Sequence, residues 1–128
     1  MARITLDGSD DVRVDACLQG RRRSLIHKGY LEELAVAYLD AGTDRKDPRV
    51  SPLYADLRSF PPILIQVGSA EVLLEDATRF AAVAGAADVP VTLEIWPHMI
   101  HAWPLWNAHL EPGRRALVSA GAFIQRHL

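Results

Sequence analysis

PPILIQVGSAEVLLED (residues 61–76) and VTLEIWPHMIHAW (residues 91–103) are the two stretches of the chain that decide its fold. The runs at 63–67 and 91–96 predict β-strands, and the first, bounded by proline and glycine, is typical of a strand covered on both faces in a parallel sheet. A helix is predicted after each strand, because apolar residues recur there at three- and four-residue spacing. Strand, helix, strand and helix with short connections predict an α/β fold with a doubly wound sheet.

Helices are also predicted before the first strand and at the end of the chain. An earlier helix is predicted from Tyr30 onward, with Gly42 as its stop signal. The last helix is predicted to open at residues 111–112, and its apolar side chains form one stripe, which consists of Leu117, Ala120, Ile124 and Leu128.

An ionisable side chain follows each predicted strand within five residues. Glu71 lies four residues after the first strand, and His101 lies five residues after the second. Functional groups in open α/β sheets gather beyond the carboxyl ends of the strands, so we expect both side chains at the same rim. A carboxylate bonded to one ring nitrogen of a histidine leaves the other nitrogen to take a proton from a hydroxyl group. The pair therefore predicts the acid and the base of a Ser–Glu–His triad.

Other interpretations of these residues stay open. Glu71 is also compatible with capping the helix that follows it, where a negative charge is favourable, and His101 with an ordinary loop position. Asp76 is the second candidate for the acid. His98, three residues before His101, raises the idea of a metal pair, but that spacing suits a helix and no third ligand is near in sequence. We therefore expect no metal site.

No nucleophile motif accompanies the acid and the base. None of the serines lies in a GxSxG turn, and Cys17 has no surroundings that mark a reactive thiol. Two strands are also too few to complete a doubly wound sheet, which independently predicts that the chain is one part of a larger fold.

Composition excludes several classes of protein. Among 128 residues, 14 basic and 16 acidic side chains give a net charge of -2, which offers no field for nucleic acid, and the only basic run, at 21–23, is typical of a solvated turn. No apolar run reaches the roughly 20 residues of a membrane span. The absence of an export signal and the single cysteine favour a cytoplasmic location.

The run DPRVSPLYADLRSFPPILIQVGSAEVLLEDATRFA (residues 47–81), followed by VTLEIWPHMIHAWPLW (residues 91–106), resembles the carboxyl-terminal half of the hormone-sensitive-lipase-like α/β-hydrolases, a family of microbial esterases. The motifs DPxxSPL, PPxLIQVG, GSxExLLxD and WPxMxH occur in that order. The resemblance implies that residues 30–128 are the carboxyl-terminal part of an α/β-hydrolase domain. Residues 1–29 are then a poorly patterned remnant leading out of an upstream strand.

The resemblance also implies a partial α/β-hydrolase fold, in which this chain supplies the last two strands of a mostly parallel eight-stranded sheet. It assigns the triad acid to Glu71, the triad histidine to His101 and a structural role to Asp76. Members of the family hydrolyse small carboxylic esters and need neither cofactor nor metal.

The family's HGGG oxyanion loop and serine elbow have no counterpart in this sequence, so we expect the chain alone to be inactive. We interpret it either as the product of a truncated reading frame or as a clipped piece of a longer chain. A non-catalytic ligand-binding or interaction module of the same fold is the alternative, because the family includes hormone receptors that no longer hydrolyse. The expected partners are a missing amino-terminal half, or a second copy in a homodimer formed through residues 91–96.

Overall fold

The computed structural model describes residues 28–128, which form a two-stranded parallel sheet with helices on its faces. The elements are, in chain order, helix α1 (Lys28–Tyr38), a short 3-10 helix (Pro52–Tyr54), strand β1 (Ile63–Gly68), helix α2 (Leu74–Ala86), strand β2 (Val91–Trp96), a second 3-10 helix (Trp103–Trp106) and helix α3 (Glu111–His127).

The predicted strands and helices agree with this structure. β2 has the predicted bounds, and β1 extends the predicted strand by one residue, to Gly68. α1 ends at Tyr38, before a turn in which Gly42 adopts a φ of 90°, a conformation that glycine reaches without a steric penalty. The α/β fold class is confirmed. The predicted remnant at 1–29 lies outside the described residues as far as residue 27, and so do Cys17 and the basic run at 21–23.

One face of the sheet carries the apolar core. The strands pair in register from Ile63 opposite Val91 to Gly68 opposite Trp96, so odd-numbered side chains of both strands share a face. α2 packs on this face, and the buried cluster there consists of Leu57, Ala84 and Val89 with Ile63, Phe80 and Val91 against it. This cluster joins the carboxyl-terminal part of α2 to the amino ends of the strands, because Ile63 and Val91 are the first residues of β1 and β2.

The opposite face binds α3 through a polar network. Glu94 accepts hydrogen bonds from the amide of Gln66 (2.9 Å), from the indole of Trp96 (3.1 Å) and from the hydroxyl of Ser119 on α3. Gln66 also donates to the carbonyl of Ala116 (2.8 Å). Burial raises the pKa of Glu94, but the three hydrogen bonds outweigh it and lower that pKa below its ordinary value. A satisfied network of this kind fixes the position of the helix on the sheet.

Most of the apolar stripe predicted on α3 lies away from the face that packs on the protein, and only Ala120 of the stripe is partly buried. Gly113 and Ala116 are buried, whereas Leu117 and Ile124 are about half exposed and Leu128 is fully exposed. The reason is close packing, since a Cβ on Gly113 would lie 3.2 Å from the carbonyl oxygen of Trp103. Small residues therefore select the contact face of this helix.

Each strand has one edge without a strand partner among residues 28–128, because β1 and β2 pair only with each other in that region. None of the helices described there has the length and apolar character needed to cross a bilayer.

Candidate active site

Two loops at the carboxyl ends of the strands are held together by backbone hydrogen bonds. The first loop joins β1 to α2, and the second follows β2. The N–H of Ser69 donates to the carbonyl of Trp96 (2.9 Å), and the N–H of Ala70 donates to the carbonyl of Met99 (3.0 Å). In return, the hydroxyl of Ser69 accepts the N–H of His98 (2.8 Å). These bonds fix the two loops against each other without the help of a sheet ladder.

Gly68 permits this close contact between the loops. A Cβ at this position would lie 2.1 Å from the carbonyl oxygen of Met99, far inside contact distance. The second loop also contains two non-glycine residues in the left-handed conformation, His98 with a φ of 61° and Ala102 with a φ of 57°. Such residues are uncommon, and here they turn the chain sharply on either side of His101.

Glu71 and His101 meet where the two loops converge. Glu71 is 5% exposed, and its Oε1 accepts the N–H of Gly68 at 2.6 Å. Its Oε2 lies 2.7 Å from Nδ1 of His101, so Nδ1–H donates to a carboxylate that already has a second hydrogen bond. About a third of the His101 side chain is exposed, and no other described residue is hydrogen-bonded to its ring. The arrangement holds Nδ1 protonated and leaves Nε2 available.

A pocket of about 580 Å³ opens beside this pair. Its lining is mostly apolar and includes Val67, Leu73, Ala77, Phe80 and Pro104, together with Glu71, His101, Asp76 and Trp103. A pocket of this size is within the range of small-molecule sites.

Two residues of the pocket lining each have one buried polar atom without a hydrogen-bond partner among the described residues. These atoms are Oδ1 of Asp76 and Nε1 of Trp103, whose side chain is only 2% exposed. Burial raises the pKa of Asp76 to about 6; nearby Glu75 adds to the shift, and Arg79 partly opposes it. An unpaired buried donor and an unpaired buried acceptor each carry a desolvation cost.

The structure brings together two of the sequence-predicted residues, Glu71 and His101, at the expected rim. Glu71 does not cap α2, because the residue before that helix is Leu73 and the Glu71 carboxylate bonds to Gly68 and His101. Asp76 lines the same pocket but forms no bond with His101. His98 is exposed, and no group of three or more His, Cys, Asp or Glu side chains within residues 28–128 is placed to hold a metal ion.

Sequence reasoning missed the contributions of Ser69 and Gly68 to this site. Gly68 follows directly on the strand in the sequence, which is a signal for a close backbone approach. Ser69 gave no comparable signal, because a loop serine occurs in many unrelated settings.

Known proteins that resemble the chain are hydrolases. An acetyl-hydrolase from Streptomyces hygroscopicus is 46% identical over 104 residues, which are 81% of this chain and 34% of that protein. An esterase from Acinetobacter venetianus is 41% identical over 86 residues, which are 67% of this chain and 28% of that protein. The chain thus spans about a third of the length of these relatives.

Solved structures show the same likeness. An esterase/lipase from an uncultured bacterium has 42% sequence identity and a TM-score of 0.75, covering 78% of this chain and 34% of its own. A hormone-sensitive lipase from a metagenome library has 38% identity and a TM-score of 0.77, covering 81% of this chain and 35% of its own. Residues 8–105 match the sequence pattern of the alpha/beta hydrolase fold family. The chain belongs to the alpha/beta hydrolase fold family, with hormone-sensitive-lipase-like esterases among its relatives.

Proposed function

We propose that this chain carries the acid and the base of a serine carboxylesterase, with Glu71 and His101 in those roles. The observation that supports the proposal most strongly is the 2.7 Å contact between Oε2 of Glu71 and Nδ1 of His101. It fixes one tautomer of the imidazole and leaves Nε2 as the proton acceptor. The open pocket beside His101 gives an ester access to that nitrogen.

The proposed reaction proceeds by acyl transfer. Nε2 of His101 takes the proton of a serine hydroxyl while the serine oxygen attacks the ester carbonyl, and the Glu71 carboxylate stabilises the imidazolium that forms. The imidazolium then gives its proton to the departing alcohol, which leaves an acyl-serine. In the second half, His101 takes a proton from water as the water oxygen attacks the acyl group. The imidazolium then gives that proton to the serine oxygen as the acyl–oxygen bond breaks, which releases the carboxylic acid and restores the serine and the neutral histidine.

The serine and the oxyanion donors are proposed to come from another segment of the fold, since no serine of the 128 residues lies in a GxSxG turn. The edge of β1 that has no strand partner among residues 28–128 is the natural place for that segment to join the sheet. Without it, the chain alone lacks covalent catalysis and roughly 3 kcal/mol or more of oxyanion stabilisation, so we expect it to be inactive.

A hybrid enzyme tests this proposal. The chain replaces the matched region of the Streptomyces acetyl-hydrolase, and the hybrid is assayed for hydrolysis of p-nitrophenyl butyrate. We expect turnover, and we expect His101→Ala to lower kcat roughly 10⁴-fold or more, because a triad acts as a unit. His109→Ala is the matched control, since His109 is exposed and outside the pocket.

Two outcomes would contradict the proposal. One is a folded hybrid that hydrolyses ester equally well after His101→Ala. The other is a folded hybrid without activity that binds a small apolar ligand, which favours the non-catalytic module. Should the hybrid fail to fold, a second hybrid receives only the two loops, residues 68–76 and 97–106, in the intact relative and is judged by the same outcomes.

The homodimer through β2 is a second proposal, about the partner rather than the reaction. Thr92 and Ile95 on this strand are exposed, Ile95 by 47%, and its outer edge has no strand partner among residues 28–128. Light scattering on the purified chain tests it: we expect a dimer that Ile95→Lys dissociates, and a monomer at all concentrations would contradict it.

A further inference from the structure

We infer that Ser69 is a positioning residue of the proposed triad, which acts on His101 through the turn at His98. The inference rests on the proposed function, because the position of His101 matters for catalysis only if this residue is the base. Ser69 lies two residues before Glu71, and it contacts the loop of His101 through both its backbone and its side chain. It therefore joins the two loops at a point close in sequence to both members of the pair.

Residues 96–99 form a tight turn at the end of β2. The N–H of Met99 donates to the carbonyl of Trp96 (3.3 Å), and His98, the third residue of the turn, has a φ of 61°. Proline at the second position and a positive φ at the third are features of a type II turn, in which glycine or asparagine is preferred at the third position. Histidine has a steric cost in this place, so other contacts have to maintain the conformation.

Ser69 supplies two of these contacts. Its hydroxyl oxygen accepts the N–H of His98 at 2.8 Å, and its own N–H donates to the carbonyl of Trp96 at 2.9 Å. The bond within the turn uses the N–H of Met99 and leaves the N–H of His98 for a partner outside the turn. One residue thus holds both the first and the third residue of the turn. Loss of the hydroxyl releases the third residue while the first stays bonded.

The turn is one of two anchors that flank His101. The other is Trp103, which begins the second 3-10 helix and is 2% exposed. Two residues separate His98 from His101, and one separates His101 from Trp103. A change of the backbone at His98 therefore moves the imidazole relative to Glu71, whose Oε1 stays bonded to the N–H of Gly68. The 2.7 Å contact between Nδ1 of His101 and Oε2 of Glu71 has little tolerance for such a movement.

The Ser69 hydroxyl contributes to position more than to stability. His98 is exposed and Ser69 is half-buried, so water can replace the hydroxyl at the N–H of His98. Removal of the hydroxyl then leaves that N–H hydrated, not buried and unpaired, but it removes the restraint on the turn. Ser119→Ala offers the opposite case, because the Ser119 hydroxyl bonds to Glu94 on the other face of the sheet, away from the pair.

The hybrid enzyme gives the first readout. Ser69→Ala should lower kcat about tenfold with KM changed less than about twofold, because the imidazole is displaced and the apolar pocket is not. The bond from Ala70 to Met99 remains, which limits the displacement. Ser69→Thr keeps the hydroxyl and should retain at least about half of the parental kcat. Ser119→Ala is the matched control, and it should lower the urea midpoint without lowering kcat.

A second substitution tests whether Ser69 acts through the turn. His98→Gly gives the third position the residue that adopts a positive φ without a steric cost. In that background the turn no longer depends on the hydroxyl, so Ser69→Ala should lower kcat less than about twofold. If Ser69 acted independently of His98, its substitution would lower kcat by the same factor in both backgrounds.

The isolated chain gives a readout that does not need catalysis. Nitrogen-15 NMR of the neutral His101 ring reports which ring nitrogen carries the proton. We expect Ser69→Ala to reduce the share of the Nδ1–H tautomer, which the contact with Glu71 favours. Ser69→Thr and Ser119→Ala should leave that share unchanged.

The outcomes separate this inference from the proposed function. If His101→Ala abolishes the activity of the hybrid but Ser69→Ala leaves kcat or the tautomer share unchanged, the inference is overturned and the proposed function stands. A loss of kcat that is as large in the His98→Gly background also overturns it. Should the Ser69→Ala hybrid fail to fold, the tautomer share in the isolated chain decides. If activity survives His101→Ala, the proposed function fails and this inference fails with it.

Discussion

Gly68→Ala is the substitution whose effect follows most directly from the geometry of the two loops. The new Cβ would lie 2.1 Å from the carbonyl oxygen of Met99 and 2.6 Å from its carbonyl carbon. An ordinary carbon–oxygen contact needs about 3.3 Å, so the loop that carries His101 has to move by about 1 Å. Overpacking of this kind costs about 1–3 kcal/mol, and loss of the hydrogen bond from Ala70 to Met99 adds about 1 kcal/mol.

The expected result is therefore a decrease of about 2–4 kcal/mol in the free energy of unfolding, measured by urea denaturation of the purified chain at pH 7.5. Gly121→Ala is the control: this glycine lies in α3, a Cβ there would meet no neighbouring atom within 4 Å, and alanine should stabilise the helix by about 0.5–1 kcal/mol. In the hybrid enzyme, Gly68→Ala should also lower kcat roughly 100-fold, because the displacement separates His101 from its reaction partners. A free energy of unfolding within about 0.5 kcal/mol of the parent would show that the two loops accommodate a side chain at residue 68.

Three further predictions concern the carboxylates. Glu71→Gln in the hybrid should lower kcat roughly 10⁴-fold, because the amide places a donor opposite Nδ1 and favours the wrong tautomer of His101. Glu75→Gln is the control and should leave kcat unchanged, so equal losses in the two variants would contradict the assignment of Glu71 as the triad acid. Asp76→Asn in the isolated chain should raise the free energy of unfolding by about 1 kcal/mol at pH 7.5 and little near pH 4. The pKa of Asp76 is raised to about 6 in the folded chain, so folding disfavours the charged carboxylate and the free energy of unfolding falls as pH rises from about 4 to 6. The full pKa shift corresponds to about 3 kcal/mol, and the expected effect is smaller because solvent screens a half-buried group. Urea titrations at both pH values measure this, and an unchanged difference between them would contradict it. Ser119→Ala should destabilise the chain by about 1–2 kcal/mol at pH 7, because it removes a hydrogen bond to the Glu94 carboxylate. The loss should be smaller in acid, because the lowered pKa of Glu94 gives stability that disappears as pH falls through that pKa. A loss independent of pH would contradict the role of the Glu94 charge.

Most of the fold was predictable from the sequence, because the local hydrophobic pattern agrees with the tertiary packing. The apolar run of β1 pairs with β2 as its composition predicts, and the helical spacing after Leu73 matches the face that α2 buries. α3 is the exception, since its contact with the protein depends on Gly113 and Ala116. A hydrophobic pattern marks where apolar side chains lie on a helix, but close approach of two backbones is decided by residues with little or no side chain.

The pairing of Glu71 with His101 was predictable from the sequence, whereas the loop conformations and buried polar atoms around the pair were not. Glu71 and His101 each follow a strand of a parallel sheet, so topology alone places them at one rim. The left-handed conformations of His98 and Ala102 could not be predicted, because neither residue type requires a positive φ. The unpaired atoms of Asp76 and Trp103 were equally hidden, since burial of a single polar atom depends on packing between segments distant in sequence.

The contact between Glu71 and His101 predicts the imidazole tautomer that leaves Nε2 free to accept a proton. Nitrogen-15 NMR of the imidazole ring in the purified chain, recorded at a pH where the ring is neutral, tests it most directly. We predict a proton on Nδ1 and none on Nε2, with the preference lost in Glu71→Gln. A neutral ring that carries its proton on Nε2, or one that does not respond to Glu71→Gln, would contradict the account.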